Sequence, residues 1–185
     1  MCCGVFFESD GVRLDLHGVD RRQRQVCIRD RRFEGPGILS TTVRGHAVEN
    51  RITVIDGSSV TPRHLNKHVD FSLEEGEAIP ASEKAKSLAQ PGAMAFGALG
   101  QTLYVAAFSS DQVGVFNADA LADDSFVPGD NIDIPGGGPS GVVYGTNPQR
   151  LYVYSRFDNS VSVVRIQDRQ VVDTQPLFTP EAAHT

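Results

Sequence analysis

The chain nearly repeats itself at an interval of 48 residues. One stretch runs Pro91-Gly92-Ala93-Met94-Ala95-Phe96-Gly97, then Leu103-Tyr104-Val105, then Val113-Gly114-Val115. The other runs Pro139-Ser140-Gly141-Val142-Val143-Tyr144-Gly145, then Leu151-Tyr152-Val153, then Val161-Ser162-Val163. No gap is needed to align them, and Gln101 and Gln149 match as well. A fixed period of this size, filled with strand-forming residues, marks a β-propeller blade or a similar array. The expected fold class is all-β: a partial β-propeller of about two and a half four-stranded blades with an irregular N-terminal tail.

Length sharpens that expectation. Propellers close their ring with roughly 4–8 blades, and 185 residues at 48 per blade hold fewer than four. Two readings follow: the chain is a fragment of a larger protein, or copies of it assemble to complete the ring. The fragment reading is preferred.

The net charge of −6 argues against a general nucleic-acid binder or a binder of anionic membranes. No apolar run approaches the roughly 18–20 residues a membrane helix needs, so no membrane insertion is expected. The start, Met1-Cys2-Cys3-Gly4-Val5-Phe6-Phe7-Glu8, has no basic region and its apolar run stops at Glu8, unlike a signal peptide. Taken literally the chain is cytoplasmic. Cys2, Cys3 and Cys27 are odd in number and lack a Cys-x-x-Cys spacing, so they offer neither a zinc site nor a disulfide framework.

Three segments are expected. Residues 1–32 form an irregular tail in which Arg21, Arg22, Arg24, Arg29, Arg31 and Arg32 crowd together without apolar periodicity. A basic arm for nucleic acid is the sharper alternative there, and a start read in the wrong frame is another. Residues 33–176 form the partial propeller, and residues 177–185 a C-terminal tail. Phe33-Glu34-Gly35-Pro36-Gly37 reads as a loop, and Arg51 to Asp56 as a strand matching Gln112 to Phe116 and Ser160 to Val164. From Val54 to Val115 the spacing is 61, 13 more than the period. That excess belongs in a loop near Glu74 to Glu77 or Ser82 to Lys84, and His68 to Leu73 is expected as the outer strand of the first, partial blade. The next blade has strands near Ala93 to Phe96, Thr102 to Phe108, Gln112 to Asn117 and Asp130 to Ile134. The last has strands near Gly141 to Tyr144, Arg150 to Ser155, Ser160 to Ile166 and Gln170 to Thr174. A cut-short stack leaves an apolar face in water, which predicts association.

Leu-Tyr-Val, a short polar turn, then Val-Ser/Gly-Val resembles the YVTN family of β-propeller repeats, over about residues 50–175. A narrower resemblance runs through Phe33 to Gly37, Arg44-Gly45-His46, Arg51 to Ile55 and Pro62-Arg63-His64-Leu65-Asn66. With the blades, these look like bacterial exported proteins that join a YVTN propeller to a C-terminal c-type cytochrome region. That resemblance implies a periplasmic or extracellular parent with haem c on Cys-x-x-Cys-His motifs. This chain carries no such motif, so no cofactor is assigned to it. The segment before Phe33 lacks the preceding blades of that family, which is read as truncation at both ends or a misread start.

Candidate chemistry is sparse. His64 and His68 stand four apart, as helical zinc ligands do, but Pro62 precedes them and no carboxylate or cysteine stands at ligand spacing. Loop hydrogen bonding is the simpler role. Asp111, Asp158 and Asn159 fall at corresponding hairpins; calcium is one reading and turn chemistry the preferred one. Gly136-Gly137-Gly138 lacks the Lys-Ser/Thr of a phosphate loop and reads as a blade connection. Glu74-Glu75 and Asp123-Asp124 sit in polar loops where solvation suffices. No catalytic or metal-binding residue is assigned.

The expected role is therefore a non-catalytic propeller fragment that binds or scaffolds. Loops on a rigid scaffold gather binding residues, which singles out Gly136, Gly137, Gly138, Asp111, Asp158 and Asn159. The expected partner is a protein, the missing blades of the same propeller, or a c-type cytochrome domain. The alternatives are the propeller part of a c-type haem oxidoreductase and a cell-surface repeat protein.

Overall fold

The computed structural model describes residues 49–73, 77–146 and 148–178, together with the backbone of 24–28. Three antiparallel sheets follow one another along the chain. The first contains β1 (Arg24–Ile28), β2 (Arg51–Asp56) and β3 (Ser59–His64). A short helix, α1 (Ala81–Lys84), precedes the second sheet of β4 (Pro91–Phe96), β5 (Thr102–Ala107), β6 (Gln112–Asn117) and β7 (Asn131–Asp133). Helix α2 (Ala118–Ala122) interrupts it between β6 and β7. The third sheet is β8 (Pro139–Thr146), β9 (Gln149–Ser155), β10 (Ser160–Arg165) and β11 (Gln170–Pro176). Every sheet is a meander, each strand pairing with its neighbour in sequence.

The 48-residue repeat survives in the packing. Side chains on a strand alternate between faces, and the second sheet is covered on both. Met94, Phe96, Leu103, Val105 and Phe116 pack toward Ile52 and Val54 of the first sheet. Ala95, Tyr104, Ala106 and Val113 pack toward Val142, Leu151, Val153 and Val164 of the third. This is why β5 is buried along nearly its whole length, whereas β9, covered on one face, alternates. Val142, Tyr144, Leu151, Val153 and Val164 stand one period beyond Met94, Phe96, Leu103, Val105 and Phe116. The second and third sheets thus offer the same face to the sheet before them.

Gly114, at the middle of β6, allows close approach. A Cβ there would overlap Leu88 Cδ1 and stand 2.9 Å from Phe116 Cε2. Leu88 is buried in the connection between the first and second sheets, where the residues in excess of the period also lie.

Two local expectations change. His68 to Leu73 is a run of turns, and β3 takes the outer place beside β2. Gly57, with φ of 60°, lets the chain reverse directly after Asp56 and pairs Asp56 with Ser59. Pro62 is accommodated because β3 is a sheet edge. Within the Arg-rich stretch, Arg24–Ile28 pairs antiparallel with β2, in register Val26 to Val54. The rest of 1–32 lies outside the described residues, as do 33–37, 74–76 and 179–185.

Helix α2 forms where Asn117 ends β6. Its Oδ1 accepts the N–H groups of Asp119 and Ala120 at 3.0 and 2.9 Å, an N-cap that satisfies two donors the first turn leaves open. At the other end Arg63 donates to the carbonyls of Leu121 (2.9 Å) and Ala122. The guanidinium thereby ties the first sheet to the second.

Candidate functional site at the sheet junctions

The hairpin turns and the connections between sheets meet, and one pattern recurs at each meeting. Asn50 Oδ1 accepts the N–H of Gln90 at 3.0 Å. One sheet later, Asp111 Oδ1 accepts the N–H of Gly138 at 2.8 Å. Gln90 and Gly138 are 48 apart, and each precedes the proline that begins the first strand of the next sheet. The backbone carbonyls repeat the theme: Asn50, Asp111 and Asn159 accept the N–H groups of Leu65, Ile134 and Leu177 at 2.8, 2.8 and 2.9 Å. Asp111 and Asn159 adopt positive φ, 54° and 53°, which short Asx side chains tolerate better than most. Turn chemistry accounts for their residue type.

Return bonds close each junction. Phe108 and Ser109 donate to Gln90 and Ala89 at 3.1 Å each; Arg156 and Phe157, one period on, donate to Gly138 and Gly137 at 3.0 and 3.3 Å. Ser155 Oγ adds a bond to the Pro135 carbonyl at 3.0 Å.

The glycine run fits this space because nothing larger does. Gly136, Gly137 and Gly138 have φ of 87°, 68° and 60°, a left-handed path that glycine follows without strain. A Cβ on Gly136 would overlap the Asp158 carboxylate, and one on Gly137 would stand 2.8 Å from Phe157 Cδ2. One on Gly138 would stand 3.0 Å from Phe108 Cε2. Phe108 and Phe157 meet edge to face with centroids 5.2 Å apart. Phe157 is 70 % exposed, so an aromatic ring faces solvent directly above the glycine loop.

All six residues singled out from the sequence therefore gather here. Their oxygens are largely engaged: Asp158 Oδ1 accepts from Ser160 Oγ at 2.7 Å and Asn159 Oδ1 from the Tyr154 hydroxyl at 2.8 Å. Among the described residues no three His, Cys, Asp or Glu side chains are placed to hold a metal ion. His68 Nε2 lies 3.0 Å from the Glu83 carbonyl, to which it donates, while His64 stacks obliquely on Phe71 at 5.5 Å. The two histidines thus serve different contacts. No described helix is long and apolar enough to cross a membrane. Sequence reasoning missed Phe108, Phe157 and Asn50. The 61-residue offset that aligns β2 with β6 also aligns Asn50 with Asp111 and would have found the last.

No family model and no curated protein matches the chain. Among solved structures, hydrazine synthase of Kuenenia stuttgartiensis matches with a TM-score of 0.55 and 18 % identity, over 77 % of this chain and 42 % of that one. The chain is a partial β-propeller. Weaker likenesses include virginiamycin B lyase of Staphylococcus aureus, with a TM-score of 0.47 and 16 % identity, over 70 % of this chain and 35 % of that one. The β-propeller domain of Myceliophteria thermophila Swd1 has a TM-score of 0.42 and 13 % identity, over 71 % and 36 %. The chain spans less than half the length of each of these structures. At these identities the likeness concerns the fold alone, and the three sheets are its blades.

Proposed function

We propose that the chain is a non-catalytic binding or scaffold module of a larger exported protein, and that a protein partner docks at the junction end of its blades. The observation that carries this reading is the Phe108–Phe157 pair over the Gly136–Gly138 turn: an exposed aromatic anchor on a loop whose backbone is bonded on both sides. Anchors of this kind, rigid and costing little side-chain entropy, are enriched at interfaces. The non-catalytic part is supported by how the polar groups are used, since Asp111, Asp158 and Asn159 each accept a hydrogen bond from within the junction.

A second reading concerns the parent. The YVTN-type resemblance, with the Pro62 to Asn66 motif, favours a c-type haem oxidoreductase in which haem c belongs to a cytochrome region outside this chain. A Cys-x-x-Cys-His motif in frame in the downstream DNA supports that parent, and other blades without it support a cell-surface repeat protein.

Site-specific photo-crosslinking tests the docking end. A benzophenone side chain at Phe157 or Ser109 is expected to give one dominant protein adduct that the same group at Val172, on outer strand β11, does not give. The same adducts from both places, or none from Phe157, would overturn the reading.

A further inference from the structure

We propose that the protein partner at the junction end presents an arginine side chain, which stacks on Phe157 and pairs with the carboxylates of Asp111 and Asp158. This rests on the docking reading above and adds the chemistry of what docks.

The repeat supplies its own comparison. The two junctions share one backbone plan but differ in the side chains that face the connection. At the first, Asn50, Ser109 and Ser110 border Leu88-Ala89-Gln90, and all three are engaged with it. Asn50 accepts the Gln90 N–H, and Ser109 Oγ donates to the Gln90 side chain at 2.8 Å. Ser110 Oγ accepts the Ala89 N–H at 2.7 Å and donates to the Ser87 carbonyl at 3.0 Å. At the second junction the corresponding residues are Asp111, Phe157 and Asp158, around Gly136-Gly137-Gly138. The first junction builds the same plan from neutral polar residues. The joint itself therefore requires neither the two charges nor the ring of the second.

All three departures face one strip of loop. A Cβ on Gly137 would stand 2.8 Å from Phe157 Cδ2 and 3.4 Å from Asp111 Oδ1, and one on Gly136 would overlap the Asp158 carboxylate. The ring and both carboxylates thus border a length of backbone that carries no side chain, and all three are exposed. Each carboxylate keeps an oxygen for something else. Asp111 Oδ1 takes the Gly138 N–H and Asp158 Oδ1 the Ser160 hydroxyl, while neither Oδ2 accepts a hydrogen bond from a described residue. Among the described residues no cation pairs with either carboxylate, and Arg156, next to Phe157 in sequence, pairs with neither.

Charge complementarity selects the occupant. A purely apolar partner would use the ring but take two carboxylates out of water unpaired, which is unfavourable. A calcium ion wants about six to eight oxygens and gains nothing from the ring. A guanidinium uses both features: its plane lies flat on an aromatic face, and its fork of N–H donors matches a carboxylate.

Heteronuclear NMR of the isotope-labelled 185-residue chain at low salt tests this, with acetyl-Gly-Arg-Gly-amide as the probe and its neutral citrulline counterpart as the control. The arginine peptide is expected to move the amide signals of Gly137, Gly138, Phe157 and Asp158 saturably and to leave Gln90 and Ser109 of the first junction in place. The citrulline peptide should bind about fivefold more weakly. Asp111→Asn, Asp158→Asn and Phe157→Ser should each weaken the arginine peptide by about two- to fivefold. The Gly138 amide should stay protected in all three, since Asn50 and the two serines hold those places in the first junction. Equal affinity for the citrulline peptide, shifts spread evenly over both junctions, or no response overturns the inference. The photo-crosslink separates it from the docking reading. An adduct at Phe157 without arginine preference overturns the arginine alone, and arginine-selective binding without an adduct overturns the docking alone.

Discussion

Asn66 and Leu88 form a closed pair: Asn66 Oδ1 accepts the Leu88 N–H at 2.8 Å, and Asn66 Nδ2 donates to the Leu88 carbonyl at 2.9 Å. Both residues are buried. One carboxamide thus completes both backbone groups of Leu88, whose side chain packs against Gly114. A buried backbone group left without a partner costs about 1–3 kcal/mol. Asn66→Ala removes partners from two such groups, so a loss of roughly 2–4 kcal/mol is expected. Asn66→Asp keeps only the acceptor and should fall between. Urea unfolding midpoints of the three proteins check this order.

Gly136 is predicted to be the least replaceable glycine of the junction. Its φ of 87° opposes any Cβ, and that Cβ would overlap the Asp158 carboxylate. Gly136→Ala is expected to cost about 1–3 kcal/mol, chiefly as backbone strain, with a smaller share from turning the exposed Asp158 carboxylate aside. In the background of Asp158→Ala the clash disappears, and only the strain should remain. A double-mutant cycle by chemical denaturation reads the difference.

Tyr104 sets an alkaline limit. Burial pushes its phenol pKa above the ordinary value of 10.0, with Tyr144 adding to the rise and Arg169 opposing it. The folded state therefore favours the neutral phenol. Its contribution is complete below the unfolded-state pKa and is lost as the pH rises through the folded one. Stability should hold below pH 10 and decline above it. Tyr104→Phe should flatten that decline. Thermal midpoints between pH 8 and 11, with tyrosinate absorbance, test the sign.

Arg63 is expected to contribute through α2. Its two bonds to the Leu121 and Ala122 carbonyls satisfy groups at the end of a helix only five residues long. Arg63→Met keeps much of the aliphatic bulk and removes the donors, and a loss of about 1–3 kcal/mol is expected from charged hydrogen bonds of this kind. Faster amide exchange should appear first at the last turn of α2.

The fold was legible where packing imposed periodicity. β6 begins at Gln112 and ends at Asn117 as the alternation of Val113, Val115 and Asn117 requires, and the first three strands of the second and third blades stand one period apart, whereas the outer strands β7 and β11 do not, because α2 lengthens the connection before β7. Legibility failed where a single turn decides. Asp56-Gly57 is a hairpin signal, but Pro62 obscured the strand after it, and His68 to Leu73 looked more strand-like by composition. Helix α2 escaped because a helix this short has almost no periodicity and rests on the Asn117 cap and Arg63. β1 escaped because Arg24 to Ile28 sits among arginines with no apolar pattern of its own.

The candidate residues were legible one at a time. Gly136 to Gly138 were legible as a turn, and Asp111, Asp158 and Asn159 as hairpin residues, from type and place alone. What the sequence could not show was contact across blades, because the Asp111–Gly138 bond joins residues 27 apart in two different sheets. The same holds for Phe108 and Phe157, 49 apart, whose meeting needs both hairpins in place.

That the blades are joined by an Asx side chain reaching to the residue before each proline is the centre of this account. Native-state amide exchange at Gly138, read by NMR, tests it most directly. Strong protection in the unaltered chain, kept in Asp111→Asn and lost in Asp111→Ala while β5 and β9 stay protected, is the predicted result. A Gly138 amide that exchanges as freely as an exposed loop in the unaltered chain would contradict it.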